Sequence, residues 1–144
     1  MRFNADRIRI QIEAPFHHDP APDSPIGPTD RLWEHEVIEL FLVHEGTRYT
    51  ELEFGPHGHW LALRLDGVRQ IVDRDLPLKW RSQIDGDRWR GEGELMLSEP
   101  VVRWNAFAIH GVGAARRYLA AHPVGGDAPD FHRIEQFPLL QRNP

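Results

Sequence analysis

The 144-residue chain contains no cysteine, no long apolar run and no cluster of basic residues. The absence of cysteine excludes a disulfide framework and a thiol nucleophile. No apolar run reaches the 18 residues of a membrane span, and the first 14 residues alternate charge with isoleucine, unlike a signal peptide. A net charge of −5 with scattered basic residues gives no electrostatic footprint for nucleic acid. We therefore expect a cytoplasmic protein that binds neither membrane nor nucleic acid.

Catalytic and metal-binding motifs are also missing from the sequence. There is no G-x-S-x-G, no glycine-rich phosphate loop and no H-E-x-x-H, and the nine histidines do not follow the spacing of a zinc site. Glu39, Glu51 and Glu53 could supply the two carboxylates that a glycosidase requires, but side chains along a strand face more often meet solvent or a salt bridge. We predict no catalytic residue, no metal and no cofactor.

Many short apolar runs, separated by twelve glycines and twelve prolines, indicate an all-β protein. No segment has helical periodicity. The spacing predicts a single-domain antiparallel β-sandwich over residues 1–144, of the jelly-roll or immunoglobulin-like type. The strands are predicted at 6–14, 37–43, 48–54, 59–65, 68–73, 79–84, 88–97, 103–110 and 116–121.

Residues 15–31 contain five prolines and cannot pair within a sheet. The segment is predicted to be an irregular loop that crosses one end of the sandwich. We expect it to form a wall of a cleft near Trp33.

The strand at 37–43 has one residue that does not fit, because Glu39 interrupts an otherwise apolar run. A carboxylate in the middle of a buried strand must find hydrogen bonds, a counter-charge or a polar cleft. Two hypotheses remain open: a ligand cleft, or a buried ion pair with Arg64 or Arg69. The predicted core consists of Ile38, Leu40, Leu42, Leu61, Leu63, Phe107 and Ile109.

Several segments in order resemble one known family. They are LWEHEVIELFL, YTELEFGPHGHWLALRLDGVR, RWNAFAI, YLAAHP and PDFHRIEQFPLL. Together, from Arg31 to Leu140, they resemble the DOMON-like domains related to family 9 carbohydrate-binding modules. The resemblance implies a β-sandwich that binds a sugar or, in some relatives, haem.

The resemblance also implies roles for individual residues. Trp33 corresponds to a tryptophan that stacks on the sugar, and Glu39 to a glutamate that binds its hydroxyls. The arginine of those modules corresponds best to Arg69, with Arg64 as the alternative. Asn105 corresponds to an asparagine in a late strand.

Those modules carry a second aromatic residue after the asparagine, and this chain has no tryptophan after Trp104. Tyr118 or Phe131 would have to take that place.

The sequence thus favours a non-catalytic module that binds a small sugar or glycan through an aromatic platform. The first alternative is a haem-binding domain with Met96 and either His110 or His122 as axial ligands. The second is a partner-binding domain that has lost its ligand.

Overall fold

Alternating apolar and polar residues form two β-sheets in the computed structural model, which describes residues 6–126 and 130–140. The strands are β1 (Asp6–Pro15), β2 (Val37–Val43), β3 (Arg48–Phe54), β4 (Trp60–Asp66), β5 (Ile71–Asp73), β6 (Lys79–Asp85), β7 (Arg88–Leu97), β8 (Arg103–His110) and β9 (Arg117–Ala120). Three short 3₁₀ turns lie at Leu32–Glu34, Gly113–Ala115 and Ile134–Gln136. In the part of the chain that is described, no helix has the length and apolar character to cross a membrane.

The strands form an antiparallel β-sandwich. The smaller sheet has the order β1-β7-β6 and the larger sheet the order β5-β4-β3-β2-β8-β9. The all-β sandwich prediction is confirmed. β2 lies inside the larger sheet between β3 and β8, so its main chain is hydrogen-bonded on both sides.

The two faces of the larger sheet are covered differently. One face packs against the three-stranded sheet through a cluster of apolar side chains from both sheets. Its most buried members include Leu52, Phe54 and Ala62 from the larger sheet and Trp89 and Leu95 from β7. Alternation along each strand sends every second side chain to this interface.

The opposite face is covered by connecting segments instead of a sheet. Phe41 and Phe107 on this face belong to one apolar cluster with Leu32, Phe131 and Phe137, which come from outside the strands. These segments do not cover the whole face, and the uncovered part holds the cavity described below.

The predicted core is mostly confirmed. Five of its seven residues are buried, but Ile38 and Leu40 are only partly buried. Both face the three-stranded sheet, which buries Leu52 and Phe54 of β3 fully but leaves this part of β2 partly open.

The proline-rich segment connects β1 in one sheet to β2 in the other. Residues 16–31 form no strand or helix, as predicted, apart from an isolated bridge between Pro28 and Trp60. The prediction is wrong for Pro15, which ends β1 and pairs with Arg88, because an edge strand tolerates a proline. The Glu36 carboxylate holds the start of this segment by accepting hydrogen bonds from the main-chain N–H groups of His17 and Asp19, at 2.9 and 3.2 Å. The predicted role as a cleft wall is wrong, because no residue of this segment lines the cavity.

Gly91 on β7 allows Trp80 to pack between the sheets. A Cβ atom at position 91 would overlap the indole ring of Trp80, which lies against Phe54 and Trp89. A ring held on both sides cannot move aside easily.

We expect Gly91→Ala to lower the free energy of unfolding by about 1–3 kcal/mol in urea denaturation, because it overpacks the core. Gly125→Ala is the matched control, since its Cβ would contact only the flexible side chain of Gln136. In a Trp80→Ala background the Gly91→Ala cost should largely disappear. An equal cost in both backgrounds would show that the indole is not the obstacle.

Candidate functional site

A cavity of 410 Å³ opens on the face of the larger sheet that the three-stranded sheet does not cover. Its apolar floor is formed by Leu63 and Leu65 of β4, Ile71 of β5 and Ile109 of β8. Aromatic and charged side chains complete its lining. A volume between about 300 and 1,000 Å³ is typical of small-molecule sites.

Two other surface pockets lie on the solvent side of the three-stranded sheet. Their volumes are 710 and 430 Å³, so one is larger than the 410 Å³ cavity and one is similar to it. They are lined largely by exposed polar side chains that pair with one another, such as Arg81 with Glu92 at 2.7 Å. They are open sheet surface without buried charged groups. The 410 Å³ cavity is therefore the better candidate for a binding site.

Three glutamates lie side by side on the face that forms this cavity. Glu39 of β2 is directly opposite Glu53 of β3. Glu51 precedes Glu53 by two residues on β3 and therefore points to the same face. One carboxylate oxygen from each lies within 4.8 Å of the other two. The three residues are only 3%, 5% and 0% exposed, in the order Glu39, Glu51 and Glu53.

Burial shifts the protonation of all three carboxyl groups. Loss of solvent raises the pKa of Glu51 to about 7. Loss of solvent and the neighbouring carboxylates raise the pKa of Glu39 and of Glu53 well above the usual range. Glu39 and Glu51 are close enough to share a hydrogen bond, which requires a proton on one of them. The cluster therefore carries less than its full negative charge at neutral pH.

The predicted ion pair between Glu39 and an arginine is absent from the described residues. Arg69 binds Asp130 instead, with 2.7 Å between guanidinium and carboxylate. Arg64 lies on the other face of β4, together with Trp60 and Ala62, where it cannot reach Glu39. Of the two hypotheses for Glu39, only the polar cleft agrees with these positions.

A hydrogen-bonded network holds one rim of the cavity. The main-chain N–H of Arg69 donates to the Tyr49 hydroxyl at 2.9 Å, and that hydroxyl contacts Nδ1 of His132 at 2.8 Å. Asp130 accepts from the Arg69 guanidinium and, at 3.1 Å, from the main-chain N–H of His132. Nε2 of His132 then lies 3.7 Å from a carboxylate oxygen of Glu51.

His132 is neutral at pH 7. Burial, followed by the nearby positive charge of Arg69, lowers the pKa of His132 to about 4. Because the Tyr49 hydroxyl accepts from Arg69, it can donate its own proton to Nδ1 of His132. In that tautomer Nε2 carries the hydrogen that points towards Glu51.

Trp33 stands at another part of the rim, on the 3₁₀ turn Leu32–Glu34. Its neighbour Leu32 is fully buried and anchors the turn, whereas Trp33 is 39% exposed. The Arg116 guanidinium donates to the main-chain carbonyl of Trp33, and also to those of His35 and Gly111. Arg116 therefore fixes the turn that presents the indole.

Two more aromatic rings line the cavity. Phe131 stacks on Phe107 with 3.8 Å between ring centroids, and Tyr118 of β9 meets Phe131 edge-on at 6.0 Å. Tyr118 is 46% exposed. Trp33, Tyr118 and Phe131 together supply aromatic surface close to the buried carboxyl groups.

The structure brings together four of the six residues predicted as ligand-binding. Trp33, Glu39, Arg69 and Tyr118 all line the cavity, and Arg64 does not. Asn105 is also excluded: it is fully buried, its side-chain amide donates to the main-chain carbonyl of His122, and its oxygen accepts the N–H of His122. Asn105 fixes the chain after β9, so the prediction that it contacts a ligand is wrong.

The positions of the proposed axial ligands contradict the Met/His haem site. Met96 is half exposed on the outer face of β7, because its neighbours Leu95 and Leu97 point into the sandwich. His110 and His122 belong to the larger sheet and the loop after it. Met96 points away from that sheet, so it cannot share an axial pair with either histidine.

Glu51, His132 and Arg116 were not predicted as ligand-binding residues. The sequence did indicate the position of Glu51, because it lies on the same face of β3 as Tyr49 and Glu53. His132 belongs to the PDFH motif, but no spacing rule places that motif beside β3. Arg116 donates to main-chain carbonyl groups, and such contacts cannot be predicted from the residue types in the sequence.

Comparison with known proteins identifies the relatives of the chain. Over 144 residues it is 39% identical to the UPF0462 protein C4orf33 homolog of Danio rerio, covering 92% of this chain and 73% of that protein. It is 38% identical over 150 residues to UPF0462 protein C4orf33 of Homo sapiens, with 94% and 74% covered. The chain belongs to the UPF0462 family. That family name states neither a ligand nor a reaction, and no family model matches the chain.

A solved structure has the same fold as this UPF0462 chain. It is the crystal structure of a "putative carbohydrate-binding protein" from Bacteroides uniformis, with a TM-score of 0.65 over 92% of this chain and 70% of that one. The sequences are 18% identical, so the likeness concerns the fold alone.

The raised pKa of Glu51 predicts how the stability of this UPF0462 chain depends on pH. Between about pH 4.5 and pH 7 the folded chain holds a proton on Glu51 that the unfolded chain has lost. The free energy of unfolding should therefore fall as pH rises through this window.

Glu51→Gln removes this titration, so the loss of stability between pH 5 and pH 8 should be about 2–4 kcal/mol smaller in the variant than in the wild type. Urea denaturation at both pH values, in buffer with a chelator of divalent cations, measures the difference. Glu45→Gln, at an exposed position, should behave as the wild type. Parallel pH profiles for wild type and Glu51→Gln would contradict the assignment.

Proposed function

We propose that this chain is a non-catalytic binding domain whose 410 Å³ cavity takes a small sugar or the end of a glycan. The observation that supports this most directly is the exposed indole of Trp33 beside the carboxyl groups of Glu39 and Glu51. A sugar has apolar C–H faces that pack on aromatic rings and hydroxyl groups that bond to carboxyl and guanidinium groups. Arg69 adds the guanidinium group.

Within this proposal the residues have distinct roles. Trp33 provides the stacking surface, with Tyr118 and Phe131 as further aromatic contacts. Glu39 and Glu51 accept or donate hydrogen bonds to hydroxyl groups, depending on which one carries the proton. The resemblance to DOMON-like and family 9 carbohydrate-binding modules, and the fold shared with the Bacteroides uniformis protein, support a carbohydrate as the ligand.

A binding role agrees better with the carboxyl geometry than hydrolysis does. Glycosidases place two carboxyl groups on opposite sides of the bond they cleave. Glu39 and Glu51 instead lie on adjacent strands of the same sheet, close enough to hydrogen-bond to each other. That arrangement leaves no room between them for a glycosidic bond.

Binding should be weak to moderate, with a Kd between about 1 mM and 1 µM, as a cavity with one or two stacking rings and a few hydrogen bonds provides. Titration calorimetry with mono- and oligosaccharides, chosen from a glycan array, measures it. Trp33→Ala should weaken binding by about tenfold or more, because it removes the stacking surface. Its melting temperature should change little, since the ring is partly exposed in the free protein.

Arg64→Ala is the control, because Arg64 lies on the opposite face of β4 and should not affect binding. No binding of any carbohydrate by the wild type would contradict the proposal. So would carbohydrate binding that is the same in Trp33→Ala and the wild type.

A further inference from the structure

We propose that Glu39, Glu51 and Glu53 together bind one hard divalent cation, of the Ca²⁺, Mg²⁺ or Mn²⁺ class, beneath the cavity. The first observation is the geometry. Oxygen atoms from the three carboxyl groups lie within 4.8 Å of one another. Metal–oxygen distances of about 2.0–2.6 Å place two oxygens of one ion up to about 5 Å apart, so the spacing suits a single ion.

The second observation concerns Glu53. It is 0% exposed; the main-chain N–H of Trp33 is directed towards its carboxyl group, but among the described residues neither carboxylate oxygen has a partner within normal hydrogen-bond geometry. Its carboxylate nevertheless points into the cluster with Glu39 and Glu51. Buried polar groups without a partner are rare, and such a group indicates a bound ion, a bound water molecule or a proton.

No direct ion pair with a lysine or arginine compensates the cluster in the described part of the chain, although Arg116 and Arg69 act on Glu39 and Glu51 from a longer distance. Among residues 6–126 and 130–140, neither lysine nor arginine forms an ion pair with the three carboxyl groups, and the closest basic side chain is the neutral His132. Arg69 is bound to Asp130, and Arg116 to main-chain carbonyl groups. A divalent ion would supply the missing positive charge.

The donor atoms indicate which class of metal fits. All three donors are carboxylate oxygens, which suit Ca²⁺, Mg²⁺ and Mn²⁺ better than the softer metals that prefer sulfur or imidazole. Glu39 and Glu51 also line the cavity, so an ion has a path from solvent and can complete its coordination with water on that side. In the metal-free protein, protons on the same carboxyl groups take the place of the ion.

The metal site is separable from the proposed sugar site. Glu53 lies behind the cavity and does not line it, whereas Trp33 lines the cavity and is not part of the cluster. A variant that loses cation binding but keeps sugar binding, or the reverse, therefore tells the two proposals apart.

The test uses the whole chain after removal of metals with a chelator. Calorimetric titration with CaCl₂ and, separately, MnCl₂ should show saturable binding of one ion per chain for at least one of the two metals, with a matching rise in melting temperature. Glu53→Gln should abolish both effects, because it removes one of three carboxylate donors while keeping the shape of the side chain. Glu45→Gln, at an exposed site, should bind as the wild type does.

Glu53→Gln should fold without metal, since a neutral amide of the same shape replaces a buried carboxyl group; circular dichroism checks this. If that variant does not fold, Glu51→Gln serves as the second test and should also lose the ion. Trp33→Ala should keep the ion. The proposal is overturned if neither ion binds the wild type, or if a folded Glu53→Gln or Glu51→Gln variant binds it with unchanged affinity.

Discussion

The antiparallel pairing of β2 with β3 is the contact on which the candidate site depends. Its register places Glu39 opposite Glu53 and Phe41 opposite Glu51. All three carboxylates therefore point to the same side of the larger sheet. A shift of one residue would send leucines to that side and the glutamates towards the three-stranded sheet. The apolar contacts on both faces hold this register against the cost of burying three acidic groups together.

The unequal cover of the larger sheet explains why this face has a cavity. A sheet packed on a sheet forms a closed layer of interdigitating side chains about 10 Å thick. The other face is covered by the 3₁₀ turn at Leu32–Glu34 and by the segment around Phe131 and Phe137. These pieces bury Phe41 and Phe107 but leave space over Leu63 and Leu65. Aromatic rings at the margins of that space are partly exposed because no second layer lies over them.

The polar groups around the cavity form two layers. Nearest the floor are the three glutamates, whose burial raises each pKa. Around them, Tyr49, Arg69, Asp130 and His132 are joined by hydrogen bonds that orient one another. The outer layer is satisfied within the protein, whereas in the inner layer the carboxyl group of Glu53 has no partner within normal hydrogen-bond geometry among the described residues. A buried group without a partner lowers stability, so its retention points to a task outside folding.

Strand positions could be predicted closely from the sequence, because alternation with a period of two is a local property. The bounds of β2, β3, β7 and β8 agree with their predictions to the residue. The isolated charge of Glu39 in an apolar run also marked the face that holds the cavity. These features depend only on neighbours along the chain.

The partners of that charge were decided by the tertiary structure alone. Arg69 lies in the turn after β4, so alternation along the strand could not place its side chain, and only the folded turn, with the left-handed backbone of Arg69, brings it to the cavity. Asn105 was expected at the ligand, yet the loop after β9 uses its amide completely. His132 meets Tyr49 across 83 positions of sequence. Such contacts depend on how distant segments cover a sheet, and the alternation within a strand carries no information about them.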